Sequence, residues 1–152
     1  MSDFSLTLFI SVISVYVAMG AIFFTFYILR RERRRESDKT IPEANRWLEN
    51  ANTFKALGWE AASVVLAYNA LEQTLHGIAK KFTFPEMPLS HLAYKLEQEK
   101  ILQKEEVSSL QKVTEIRNMI VHGKAETISQ DDLQFAFNFC IKITENLIIK
   151  KI

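Results

Sequence analysis

The sequence predicts an all-α fold: an N-terminal single transmembrane helix followed by a bundle of four to five helices. Three observations carry this. Apolar residues recur at steps of three and four along most of the chain. Four glycines and three prolines are too few for the turns of a many-stranded sheet. An unbroken apolar run near the N-terminus leads into a basic cluster and then into a body of ordinary domain size. The expected parts are an anchor over residues 1–29, a basic juxtamembrane linker over 30–41 and a helical domain over 42–152.

Residues 4–29 read "FSLTLFISVISVYVAMGAIFFTFYIL", without Asp, Glu, Lys or Arg. At about 1.5 Å per residue this run exceeds a hydrocarbon layer of roughly 30 Å, so one tilted helix can span it. A cleaved signal peptide is the competing reading, and Ala18, Gly20 and Ala21 resemble a cleavage site. Against it, Asp3 stands where a basic cluster belongs, and the run continues through Phe23, Phe24 and Phe26 to about twice the length of a signal core. Next comes "RRERRRESDK", residues 30–39, with six basic residues against three acidic. The positive-inside tendency keeps this flank in the cytoplasm, which predicts a single-pass protein of the cell's inner membrane, N-terminus outside and body inside. Beside a membrane span, topology and contact with anionic lipid explain these arginines better than nucleic-acid binding does.

The body is close to neutral. Residues 40–152 carry thirteen lysines and arginines against fourteen acidic residues, so any work on nucleic acid must come from a local site rather than an overall field. The first helix is expected to open at Pro42 and to present Trp47, Leu48, Ala51, Phe54 and Leu57 on one face, ending at Gly58. The second runs from about Trp59 to Lys81, with Ala62, Val65, Leu66, Asn69, Leu71, Leu75 and Ile78 on a broad inner side, and reads as the central core helix. "FTFPEMP", residues 82–88, is a loop because neither proline fits a helix interior. Ser90 is then the expected N-cap of a short helix carrying Leu92, Tyr94, Leu96 and, after a few polar residues, Ile101 and Leu102. The fourth helix, about Lys104 to His122, repeats Val107, Leu110, Val113, Ile116 or Arg117, and Ile120, and closes at Gly123. The last opens at Ser129, with Asp132 as the second half of a capping box, and continues through Leu133, Phe137, Cys140, Ile141, Ile143, Leu147 and Ile148.

Several chemistries are disfavoured. The single cysteine, Cys140, excludes an internal disulfide and sits in an apolar pattern as a buried thiol. His76 and His91 lack partners at zinc-ligand spacing, so no metal and no other cofactor is expected. His76 reads as a boundary residue of the second helix and His91 as exposed. No nucleophile turn of a hydrolase appears.

One stretch stands out: "EIRNMIVHG", residues 115–123. Asn118 and His122 are four apart and share a helix face, while Arg117 lies about 140° from His122, a gap its long side chain can bridge. One groove can hold all three. In the last turn the negative end of the helix dipole favours a cation, and a histidine there can serve as general acid or base. Arg117 would grip a phosphate, His122 would move a proton, and Asn118 would orient phosphate or ribose. The plain alternative is a solvated Arg-Asn pair and a histidine that only finishes a helix.

The Arg-Asn-x-x-x-His pattern of "RNMIVHG", near the end of a penultimate helix, resembles the signature of HEPN domains. "WEAASVVLAYNALEQTLHGIAKKF" is similar to the long second helix of that fold, and the likeness extends over roughly Pro42 to Lys150. The resemblance implies a helical bundle that forms a homodimer, bringing two motifs together as a composite, metal-independent endoribonuclease that acts on RNA. It implies 2′-hydroxyl attack, with Arg117, Asn118 and His122 as catalytic residues and Glu72 of the second helix as a looser supporting candidate. Glu72 reads more readily as a solvated or locally paired carboxylate. Many such domains are toxins or phage-defence effectors, so a separate regulator or antitoxin chain is expected. Others serve as non-catalytic dimerisation or RNA-binding adaptors, the alternative kept here.

Overall fold

A computed structural model describes residues 42–149 together with Phe24, Thr25, Tyr27, Ile28 and Arg31. The chain divides into two units, Met1–Arg35 and Glu36–Ile152. In the first, the five described residues are helical and exposed. Among the described residues no helix is long and apolar enough to cross a membrane. Most of the expected span, 4–29, and of the expected linker, 30–41, lies outside the described residues, whereas Pro42, the expected start of the first helix, is helical.

The second unit is helical throughout its regular elements, with no strand among the described residues. Residues 42–56 form α1, followed by α2 (Glu60–Lys81), α3 (Leu89–Gln98), α4 (Lys104–Val121), a 3-10 turn (Ala125–Thr127) and α5 (Gln130–Ile149). The expected bundle of helices is present. Helix α2 is its axis, packing on α5, α4 and α3, while α4 also packs on α3 and α5.

Local chemistry sets the helix ends. At Gly58 (φ 77°) the chain turns left-handed; the Gly58 N–H donates to Lys55 O at 3.0 Å and the Trp59 N–H to Phe54 O at 2.9 Å. These two bonds satisfy carbonyls that the end of α1 would orphan, and the Phe54 and Trp59 rings close the turn edge to face at 5.2 Å. The same pair of bonds ends α2 at Thr83 (φ 58°), α3 at Lys100 (φ 58°) and α4 at Gly123 (φ 74°). Helix α5 starts as expected, with the Asp132 N–H donating to Ser129 Oγ at 3.1 Å and the Ser129 hydroxyl to Asp132 at 2.7 Å.

Ser90 is not a cap. It lies inside α3, whose N-cap is Pro88 (ψ 148°), and the Leu92 N–H donates to Pro88 O at 3.0 Å. Proline pre-sets φ and needs no donor there, so the helix starts one residue before the serine that could have capped it.

The buried stripes also differ in part from expectation. In α1 they are Ala44, Leu48 and Ala51; Leu57 is 61% exposed because it falls past the last turn. In α2 the inward face is Val64, Ala67, Tyr68, Leu71, Leu75 and Ile78, while Ala62, Val65, Leu66 and Asn69 are half-buried beside it. Tyr94 is 59% exposed, whereas Leu92 and Leu96 are fully buried. With Val107, Leu110, Val113 and Ile116 of α4 and Leu133, Phe137, Cys140, Ile143 and Leu147 of α5, these side chains form one core. Each fully buried leucine contributes about 1.5–3 kcal/mol. Burial pushes the Cys140 thiol up to about 12, the inert behaviour expected of a core cysteine.

Candidate functional site

The end of α4 carries the motif. Its apolar side faces the core through Val113 and Ile116, which turns Arg117 onto the edge of α2 and leaves Asn118 and His122 exposed. His122 is the C-cap of the helix: its N–H donates to Asn118 O at 3.0 Å, and Gly123 then turns the chain away. No hydrogen bond or ion pair engages the His122 imidazole among the described residues, so its ring stands free in solvent at the helix's negative end.

Arg117 is the anchored member. Its guanidinium carbon lies 5.4 Å from the centre of the Tyr68 ring on α2, within cation–π range. Its Nη1 donates to Asn118 Oδ1 at 3.1 Å. A guanidinium has no acceptor, so Asn118 must offer its oxygen to Arg117 and keep its amide N–H groups for another partner. Arg117 Nε is buried and has no partner.

Glu72 lies one helical turn beyond Tyr68, half-buried, and no ion pair joins it to Arg117 among the described residues. It lines a cavity of about 610 Å³ with Gln73, His76 and the loop around Phe84 and Met87. Both charges act on Tyr68, whose phenol is pushed up chiefly by burial and further by the Glu72 charge, against lowering by the Thr114 hydrogen bond and the Arg117 charge.

The motif is therefore brought together in part: Arg117 with Asn118 by side chain, Asn118 with His122 by backbone, and Glu72 at one remove. No family model matches the chain, and no curated protein matches it.

His76 is half-buried and His91 exposed, the places read from the sequence. Among the described residues no three His, Cys, Asp or Glu side chains gather as metal ligands. Sequence reasoning missed Tyr68 and Thr114. The Tyr68 hydroxyl lies 3.2 Å from Thr114 Oγ1, and the Thr114 hydroxyl donates to Leu110 O at 2.8 Å. A tyrosine on the inner stripe of a core helix needs a polar partner on the facing helix, and that requirement was the available signal.

Proposed function

We propose that this chain is a membrane-tethered, HEPN-type, metal-independent endoribonuclease that acts as a homodimer. The observation that carries the reading is the pairing of Arg117 with Asn118 beside the exposed His122 at the end of α4. Once Asn118 gives its oxygen to Arg117, the guanidinium and the amide offer N–H donors beside the His122 imidazole, which can give or take a proton. Phosphate oxygens, which only accept, are the natural complement.

In this reaction the ribose 2′-oxygen attacks phosphorus as it loses its proton, forming the O2′–P bond. The P–O5′ bond breaks, and the departing oxygen takes up a proton. A 2′,3′-cyclic phosphate and a 5′-hydroxyl result. His122 moves one of these protons; Arg117 neutralises charge on the non-bridging oxygens, and Asn118 holds the phosphate or ribose. Two proton transfers need two groups, which a second copy's His122 supplies across a composite site. Val121, 53% exposed beside His122, provides apolar surface for that copy to cover. Glu72 acts through Tyr68.

Residues 4–29 supply the tether, with the arginines after it holding the body on the cytoplasmic side of the inner membrane. A toxin or phage-defence role fits such an effector, with control supplied by a separate regulator or antitoxin chain. The near-neutral body favours a second reading, a membrane-anchored dimerisation or RNA-binding adaptor without catalysis.

Asn118→Asp separates the two readings at the carrying observation. An aspartate pairs with Arg117 and turns the donor surface into a neutralised one, so RNA cleavage is expected to fall at least about 100-fold with the thermal midpoint little changed. Cleavage as fast as wild type would remove the site.

A further inference from the structure

We infer that Tyr68, tethered by Thr114, is the positioning residue for Arg117, and that it presents the guanidinium end-on, so that an anion is taken by the Nη1 and Nη2 edge alone. The inference rests on the reading of Arg117 as a phosphate-binding residue.

The proton order follows from the bonds. Thr114 has one hydroxyl proton and gives it to Leu110 O at 2.8 Å. Its oxygen can then only accept from Tyr68, so the phenol is the donor of the 3.2 Å bond. Burial pushes the phenol's pKa up, which keeps that proton in place. Tyr68 is 4% exposed, so its ring is clamped from the α2 side by packing and from the α4 side by this bond. Thr114 and Arg117 are three apart on α4 and share a face, so the residue that fixes the ring and the residue that rests on it rise from the same side of the helix.

The consequence for Arg117 is geometric. A guanidinium can grip a phosphate side-on through Nε and one Nη, or end-on through both Nη atoms. Here Nε is shut off from solvent and unpaired, so the side-on edge is closed. Nη1 spends one hydrogen on Asn118 and keeps the other. What remains is the terminal edge with the Asn118 amide beside it, a fixed set of donors on one side of a phosphate. A guanidinium free to rotate would lose that alignment.

The test is side-chain NMR of the full-length ¹⁵N-labelled chain, following the Arg117 Nε–H signal, identified by its loss in Arg117→Ala. In wild type the signal should exchange slowly with water. Tyr68→Phe keeps the ring but cuts the tether and should speed exchange by about threefold; Tyr68→Leu removes the ring as well and should speed exchange at least about tenfold. Unchanged exchange in Tyr68→Leu would overturn the positioning role. If Tyr68→Leu does not fold, Thr114→Val decides: it keeps the shape and cuts the tether, so faster exchange is expected and unchanged exchange overturns the role. Inorganic phosphate should then shift the Asn118 amide signals of wild type while leaving Nε–H in place. A phosphate shift at Nε–H as large as that at Asn118 would overturn the end-on geometry. No phosphate shift at any of these groups would instead overturn the phosphate site itself, while the exchange data still report on Tyr68.

Discussion

Lys112 Nζ lies 2.7 Å from Asp132 Oδ1 and 4.8 Å from the centre of the Phe135 ring, so one lysine of α4 holds the first two turns of α5 at two points. Lys112 first, and then the Ser129 hydroxyl, keep the Asp132 carboxyl below its ordinary 3.8. A carboxyl lowered by folding stabilises the fold above its unfolded value, and that stability is lost as pH falls through the folded value. Thermal unfolding of wild type and Asp132→Asn should therefore differ near about pH 7 and converge below the ordinary carboxylate range. A gap that stays constant down to about pH 2 would show that the ion pair contributes nothing.

Two of the four left-handed helix ends are made by residues unsuited to them. Thr83 and Lys100 both hold φ 58°, and a β-branched side chain is the poorer fit there. Thr83→Gly and Lys100→Gly should stabilise the protein by about 0.5–1 kcal/mol in chemical denaturation, Thr83→Gly by more. Gly123→Ala should destabilise by about 1 kcal/mol. A Cβ there meets nothing within 4 Å, so the effect is purely one of the backbone. Destabilisation in both glycine variants would mean that the side chains of Thr83 and Lys100 matter more than their backbone strain.

Leu75 is fully buried, whereas Leu57 is 61% exposed although its spacing placed it on a core face. Leu75→Ala should cost about 2–5 kcal/mol and Leu57→Ala less than about 0.5 kcal/mol, read by the same unfolding curves. Equal losses would contradict the burial pattern.

What was legible in the sequence was what local chemistry decides. Gly58 and Gly123 are recognisable stops because only glycine turns left-handed without a penalty, and the Ser129–Asp132 pair is a complete start signal in four residues. The Lys100 turn is hidden because lysine carries no turn signal, so Ile101 and Leu102 could not be separated from α3 by pattern alone. The inner face of α2 was read with a neighbouring stripe mixed in: Ala62, Val65 and Leu66 are as apolar as Val64, Ala67 and Ile78, and periodicity cannot rank two adjacent stripes. Of the site, Arg117, Asn118 and His122 were visible as a motif. Tyr68 was not, because its partner Thr114 is 46 residues away and only the packing of α2 on α4 brings them together.

The central claim is that the end of α4 cleaves RNA. It is tested most directly by incubating the full-length chain with RNA in EDTA, wild type beside His122→Ala, and identifying the product ends by mass spectrometry. His122 is exposed and its backbone bond survives the change, so the variant should fold like wild type. Wild type is expected to give 2′,3′-cyclic phosphate and 5′-hydroxyl ends, with the rate reduced at least about 100-fold in the variant. Equal cleavage by both proteins, or no cleavage by a folded wild-type dimer, would contradict the claim.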